Sequence, residues 1–183
     1  GTDRVIGQMA AVDPGVPPVL ERSAPPPPPP PPPAVEGPDQ VEIVSGFLEP
    51  EIRDGVVKVF QDATTLTVRI AGQGMFASGS DKLAKGYDER IERLSRALAE
   101  QKGRILVVGH SDNVPIKSSR FPSNMHLSLA RAESVMRAMG QWIDPPRLSA
   151  EGRADKEPIG PNATAEGRAA NRRIEIILLK EEG

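Results

Sequence analysis

"RILVVGH", residues 104–110, is a near-continuous apolar run, which is typical of a central strand covered by helices. A helix is predicted before it, ending near Gly103, because apolar residues recur every three or four positions at Leu83, Tyr87, Ile91, Leu94 and Leu98. A second helix is predicted after it, over "LSLARAESVMRAMGQW", residues 127–142. The central strand is therefore expected to lie between two amphipathic helices in sequence.

Further strands are predicted on both sides of this unit, at residues 56–60, 65–70, 147–153 and 173–179. A turn or short helix is expected at 47–52, and a short helix around 165–172. Strands that alternate with helices in this way indicate an α/β sandwich, with helices packed on one or both faces of the sheet.

The first forty residues differ from the rest in composition. They hold 13 of the 20 prolines, nine of them in the unbroken run Pro25–Pro33, and carry a net charge of −3. The run predicts a polyproline II rod of roughly 28 Å. We interpret residues 1–40 as a disordered linker, with a proline-motif ligand for a partner domain as the alternative, and residues 41–183 as the folded domain.

Composition and motif spacing exclude several classes of function. Aromatic residues make up only 3% of the chain and no basic cluster accompanies them, which argues against a nucleic-acid partner. The absence of cysteine removes disulfides and cysteine-ligated zinc. His110, His126 and Asp112 match no metal motif, and Ser111 beside them gives no triad geometry. We therefore predict a protein that is not an enzyme and uses no metal and no cofactor.

One residue of the second helix stands out. Leu127, Val135, Ala138 and Trp142 fall within one apolar stripe of residues 127–142, and Arg131 lies in the middle of that stripe. A buried guanidinium needs a counter-charge. Arg131 is therefore expected to face a carboxylate, either of the protein or of a ligand.

Asp112 is the candidate partner, because it follows the end of the central strand, where clefts form in open α/β sheets. Two interpretations stay open. In one, Asp112 and Arg131 form a buried salt bridge between strand and helix. In the other they are the two halves of a zwitterion site, with Asp112 for an ammonium and Arg131 for a carboxylate.

Four motifs in order carry a resemblance that covers about residues 65–180: "VVGHSDN", "SNMHLSLARAESV", "RLSAEGRADKEPIGPN" and "EGRAANRRIEI". Together they resemble the OmpA-like peptidoglycan-binding domain. The resemblance implies a two-layer α/β sandwich in which helices pack against a mixed sheet of about four strands.

The resemblance also implies a ligand and its site. The family binds the meso-diaminopimelate side chain of peptidoglycan stem peptides through residues that match Asp112 and Arg131. Asn124 matches a residue that holds the loop or contacts the ligand, and Phe76 would form an apolar wall. Ala77 stands where many members carry aspartate, which removes a polar contact. The pair Arg172–Arg173 matches the family's double arginine, and we expect it to hold the last strand.

Residues 47–80 resemble a subgroup of the family, the periplasmic C-terminal domain of type VI secretion system TssL proteins. This implies the periplasmic part of an inner-membrane protein in a Gram-negative bacterium, following a transmembrane helix outside this chain. It would anchor the secretion membrane complex to the cell wall, with peptidoglycan and other subunits as partners and a homodimer left open. One alternative is an interaction scaffold whose cleft is closed by an Asp112–Arg131 salt bridge. The other is a wall anchor of the flagellar stator type, whose loop resembles residues 113–124.

Overall fold

The computed structural model describes residues 40–116 and 118–180. The predicted linker lies outside this range except for its last residue, Gln40, which begins the first helix. The polyproline rod expected at Pro25–Pro33 also lies outside the described residues. The domain boundary near residue 41 therefore remains a prediction.

The described chain begins with two helices and two antiparallel strands, after which α-helices and strands alternate. The helices are α1 (Gln40–Phe47), α2 (Glu49–Arg53), α3 (Tyr87–Ala99), α4 (Asn124–Met139) and α5 (Ala165–Asn171). The strands are β1 (Val57–Gln61), β2 (Thr65–Ala71), β3 (Gly103–His110), β4 (Leu148–Ala154) and β5 (Arg173–Lys180). No helix formed by residues 40–116 or 118–180 is long and apolar enough to cross a membrane.

The strands form one mixed sheet in the order β1-β2-β5-β3-β4. Only β3 and β4 are parallel to each other, and α4 lies between them in sequence, as a parallel connection requires. The remaining neighbours are antiparallel. This confirms the predicted α/β fold with a mixed sheet, although the sheet has five strands where the resemblance implied about four.

One face of the sheet forms the core. Alternate residues of the central strands are fully buried there, such as Leu66 and Val68 of β2, Val107 of β3 and Ile176 of β5. They belong to the same apolar cluster as the buried residues of α1, α3 and α4. The helices therefore cover this face as a second layer, and the period-2 pattern of the strands specifies which side chains they meet.

Both ends of α3 and of α4 differ from the sequence-based expectation by three or four residues. The helix predicted from Leu83 begins at Tyr87, because Leu83 forms a β-bridge with Phe76. The second helix ends at Met139, so Trp142 lies outside it. The Trp142 side chain is 37% exposed and stacks against the guanidinium of Arg96 at 4.6 Å, so it is a surface residue and not part of the buried stripe.

Helix α4 approaches the sheet unusually closely at one point. A Cβ atom added to Gly109 would lie 2.0 Å from the backbone oxygen of Ser128, and one added to Gly152 would lie 2.6 Å from the backbone nitrogen of Leu129. The Ser128 hydroxyl also accepts a hydrogen bond from the Ala154 N–H at 3.1 Å. Glycines on β3 and β4 therefore fix the distance between α4 and the strand ends next to it.

We expect Gly109→Ala to lower the free energy of unfolding by about 1–3 kcal/mol, because the added methyl meets helix backbone that cannot rotate away. Chemical denaturation of the purified chain measures this. Gly46→Ala is the matched control, because its Cβ would meet no atom within 4 Å and alanine favours the helix that contains it. Equal stability of the two variants would contradict the close approach.

Candidate functional site

Three loops meet at one edge of the sheet because of how β5 pairs. Arg173, the first residue of β5, lies opposite Ala71 at the end of β2 and opposite His110 at the end of β3. The segments after β2 and after β3 therefore begin beside the turn that leads from α5 into β5. This geometry joins parts of the chain that are about 60 and 100 residues apart in sequence.

A cleft of about 810 Å³ opens at this edge. Its walls come from the segments after β2 and β3, the first two turns of α4, and α5. Of the residues predicted to bind ligand, Asp112, Arg131, Asn124 and Phe76 all line it. Ala77 reaches the site through its backbone carbonyl, which accepts a hydrogen bond from Arg131.

The carboxylate of Asp112 is held by the protein through both of its oxygens. Oδ1 accepts a hydrogen bond from the backbone N–H of Val114 at 3.0 Å. Oδ2 accepts one from Nη1 of Arg172 at 2.5 Å. Within the described residues no ion pair joins Asp112 to Arg131, so the internal salt bridge of the first interpretation is not formed.

Arg131 is held by backbone oxygens and an aromatic ring. Its Nε donates to the Ser80 carbonyl at 2.8 Å and its Nη2 donates to the Ala77 carbonyl at 3.1 Å. The guanidinium carbon lies 5.0 Å from the centre of the Phe76 ring. Of the two partners that the sequence left open for Arg131, carbonyl oxygens and a ring face stand in place of an ion-paired protein carboxylate. A ligand carboxylate stays a prediction.

The positive charge of Arg131 is only partly balanced by the charged groups around it. Burial lowers the pKa of the Arg131 guanidinium, and the nearby positive charge of Arg172 lowers it further. Asp81 and Asp112 act in the opposite direction but do not outweigh these effects. Arginine remains protonated at neutral pH, so the Arg131 guanidinium faces the cleft as a cation. An anion bound in the cleft would stabilise it.

Asn124 secures the loop that carries Asp112. Its side-chain amide donates to the backbone oxygen of Val114 at 2.8 Å and to that of Asp112 at 3.4 Å. Ser123 caps the helix just before it, by accepting a hydrogen bond from the His126 N–H at 3.3 Å. Of the two roles suggested for Asn124, the structure contains the loop-holding one.

Arg172 is the site residue that the sequence interpretation missed. The prediction assigned both arginines of the pair to holding the last strand, and this is correct only for Arg173. That side chain donates to Glu175, to the Asn171 carbonyl and to the Glu157 carbonyl. Arg172 instead points to Asp112 and lines the cleft. The signal was available, because adjacent residues at a strand start point to opposite sides.

A buried charge cluster lies below the site, on the sheet face opposite the helices. The Glu175 carboxylate lies 2.9 Å from Nε of Arg69, 3.0 Å from Nε of Arg173 and 3.3 Å from Nε2 of His110. Burial alone would raise the pKa of Glu175, but the interactions with His110, Arg173 and Arg69 outweigh it and lower that pKa far below the ordinary value of 4.5. The cluster joins β2, β3 and β5 where the site begins.

Neither histidine belongs to the cleft. The His110 side chain is fully buried beside Glu175. His126 lies on α4, with its Nδ1 atom 2.7 Å from the Ser123 hydroxyl oxygen. In the part of the chain that the structure describes, no group of three or more His, Cys, Asp or Glu side chains is arranged to hold a metal ion.

Comparisons with known proteins agree with this architecture. The OmpA family model matches residues 75–172, a span that contains β3, α4, β4 and α5 but neither the end of β2 nor the start of β5. Among solved structures, the chain is similar to the cell wall anchor of the type VI secretion system (T6SS) from Pseudomonas aeruginosa. The two are 42% identical with a TM-score of 0.72, and the alignment covers 75% of this chain and 97% of that one.

Two further similarities come from motility proteins. A putative MotB-like protein from Desulfovibrio vulgaris is 29% identical with a TM-score of 0.71, over 78% of this chain and 92% of that one. Motility protein B from Bacillus subtilis is 38% identical over 120 residues, which is 62% of this chain and 45% of that protein. The chain thus spans about half the length of the curated relatives it matches.

We expect Glu175→Gln to lower the free energy of unfolding by about 3 kcal/mol at neutral pH, because it leaves Arg69 and Arg173 without their shared carboxylate. The folded-state pKa of Glu175 is lowered, so its contribution is present above pH 4.5 and declines as the pH falls below that value.

Urea denaturation at a series of pH values between 7 and 3 measures this difference. The gap between wild type and Glu175→Gln should narrow as the pH falls, while Glu100→Gln, at an exposed position, should stay close to wild type throughout. A gap that is constant across this pH range would contradict the assigned charge cluster.

Proposed function

Because the chain belongs to the OmpA family, we propose that its cleft binds peptidoglycan through the meso-diaminopimelate of the stem peptides. The free end of that side chain is an α-amino acid, which carries one ammonium and one carboxylate. The ammonium is assigned to Asp112 and the carboxylate to Arg131. The ligand would enter as a zwitterion and leave the net charge of the cleft unchanged.

The observation that carries the proposal is that Asp112 and Arg131 line one cleft without pairing with each other. Arg131 is oriented by the Ser80 and Ala77 carbonyls, which engage Nε and Nη2. Nη1 makes no hydrogen bond to residues 40–116 or 118–180 and is the donor assigned to a ligand carboxylate. A guanidinium that is already fixed loses little side-chain entropy when the ligand arrives.

Other residues of the cleft take supporting roles in this proposal. The Phe76 ring packs against Arg131 and offers an apolar wall for the methylene chain of diaminopimelate. Asn124 keeps the Asp112 loop in place through its two hydrogen bonds to backbone oxygens. Ala77 contributes its carbonyl to the orientation of Arg131 and supplies no side-chain contact. The assigned role is binding without catalysis.

An interaction scaffold without ligand binding is the alternative function. It would be favoured by a closed cleft in which Asp112 neutralises Arg131. The cleft volume of about 810 Å³ favours a binding site instead, as does the absence, within the described residues, of an ion pair between Asp112 and Arg131.

At the level of the cell, we propose that this domain anchors a type VI secretion membrane complex to the wall. The chain would be the periplasmic part of an inner-membrane protein of a Gram-negative bacterium, joined to its membrane segment by the linker at residues 1–40. Similarity to the T6SS cell wall anchor over 97% of that structure supports this role. Similarity to Motility protein B supports a second candidate, a wall anchor of the flagellar stator type.

We expect meso-diaminopimelate to bind the purified chain and to shift the amide NMR signals of Asp112, Asn124 and Arg131. Asp112→Asn and Arg131→Ala should each weaken binding about tenfold or more, because each removes one charge-assisted contact. The dissociation constants follow from titrations of each variant.

Arg137→Ala is the matched control, since it removes the same charge from an exposed position on α4 outside the cleft. Asp112→Asn keeps the shape of the side chain, so a thermal melt near that of wild type assigns its loss to binding and not to unfolding. Wild-type affinity in both site variants would refute the assigned site.

The cellular role predicts a separable defect. With Asp112→Asn in the whole protein, we expect secretion membrane complexes to assemble but no longer to co-sediment with isolated cell-wall sacculi. Co-purification of subunits measures assembly, and sedimentation measures wall attachment. Loss of motility with intact secretion would instead favour the stator candidate.

A further inference from the structure

Arg172 occupies the position on Asp112 that the proposed function assigns to the ligand. Its Nη1 is the donor to Asp112 Oδ2, and Oδ1 is already used by the Val114 N–H. A ligand ammonium that approaches Asp112 therefore meets a carboxylate whose two oxygens both have protein donors. The ammonium also meets the positive charge of the Arg172 guanidinium at the same carboxylate oxygen.

The backbone of Arg172 is fixed, whereas its side chain has room to move. Its N–H donates to the Arg168 carbonyl at 3.1 Å, and its carbonyl accepts from the Gly72 N–H at 2.9 Å. The side chain is 42% exposed, compared with 10% for that of Asp112. A rotation of the Arg172 side chain alone would release Asp112 without disturbing the start of β5.

The charges of the cleft favour such a movement only for some ligands. Among residues 40–116 and 118–180, the charged residues that line it are three arginines, Arg131, Arg168 and Arg172, and two acids, Asp112 and Glu166. A plain amine that displaced Arg172 would add a fourth cation beside them. An amino-acid end brings a carboxylate together with the ammonium, so the released guanidinium gains an anion nearby.

We propose that Arg172 is an internal stand-in for the ligand ammonium, and that binding exchanges one cation for the other on Asp112. This rests on the proposed function, because it concerns the same carboxylate. In the free protein Arg172 keeps the buried Asp112 paired and the site assembled. On binding it competes with the ligand, and so it sets the affinity for the ammonium and discriminates against simple amines.

The test pairs two ligands with variants of the protein. One ligand is diaminopimelate acetylated on one amine, which keeps a single free amino-acid end. The other is N-acetyl-2-aminopimelate, which keeps the same carboxylates and lacks the free ammonium. The ratio of their dissociation constants, measured by amide NMR titration, isolates the preference for the ammonium.

We expect wild type to prefer the ligand with the ammonium, and Arg172→Gln to increase that preference about threefold or more, because Asp112 is no longer shared. Arg168→Gln is the matched control. It removes the same charge from the same cleft, but Arg168 donates to the Asn162 carbonyl and not to Asp112. Thermal melts accompany each variant, and Arg172→Met replaces Arg172→Gln if the latter is unstable.

Each outcome has a distinct meaning. An unchanged or smaller preference in Arg172→Gln would overturn the exchange, and so would an equal increase in Arg168→Gln, which would indicate a general charge effect. In both cases the proposed function stands, provided that Asp112→Asn removes the preference. If wild type and Asp112→Asn bind the two ligands equally well, the proposed function fails and the exchange fails with it.

Discussion

The pairing of β5 with β2 on one side and with β3 on the other is the constraint on which the site depends. It sets Arg173 opposite both Ala71 and His110, and so places three chain segments at one sheet edge. The Glu175 carboxylate stabilises this junction, because it contacts Arg69 of β2, His110 of β3 and Arg173 of β5. A change of register by one residue would send β5 side chains to the wrong face and separate Arg172 from Asp112.

The site shows how a protein can hold a partly buried guanidinium, that of Arg131, without an ion-paired carboxylate. Carbonyl oxygens of Ala77 and Ser80 orient Arg131, and the Phe76 ring covers one side of it. Asp112 meanwhile has a different partner, Arg172. Asp112 and Arg131 thus line one cleft without pairing with each other, which is the arrangement that a zwitterionic ligand requires and that a direct salt bridge between these two residues would remove.

Most of the fold was predictable, because the spacing of apolar residues along the chain differs between helices and strands. The apolar run at 104–110 forms the interior strand β3, and the amphipathic stripes on either side of it in sequence form α3 and α4. The expectations that proved wrong concern the ends of helices, where a single side-chain or backbone contact decides which residue is the last helical one. Leu83 forms a β-bridge with Phe76 and is not part of α3. Trp142 lies beyond the end of α4 and stacks on Arg96.

The sequence by itself determined the α/β class and, through burial pattern and charge, indicated Asp112 and Arg131 as site candidates. Asn124 was indicated by the family resemblance alone. Only the tertiary structure decided the partner of each charge. Arg172 lies 60 residues from Asp112 along the chain, and no periodicity links them. Their contact follows from the antiparallel pairing of β5 with β3, a long-range register that local sequence cannot encode.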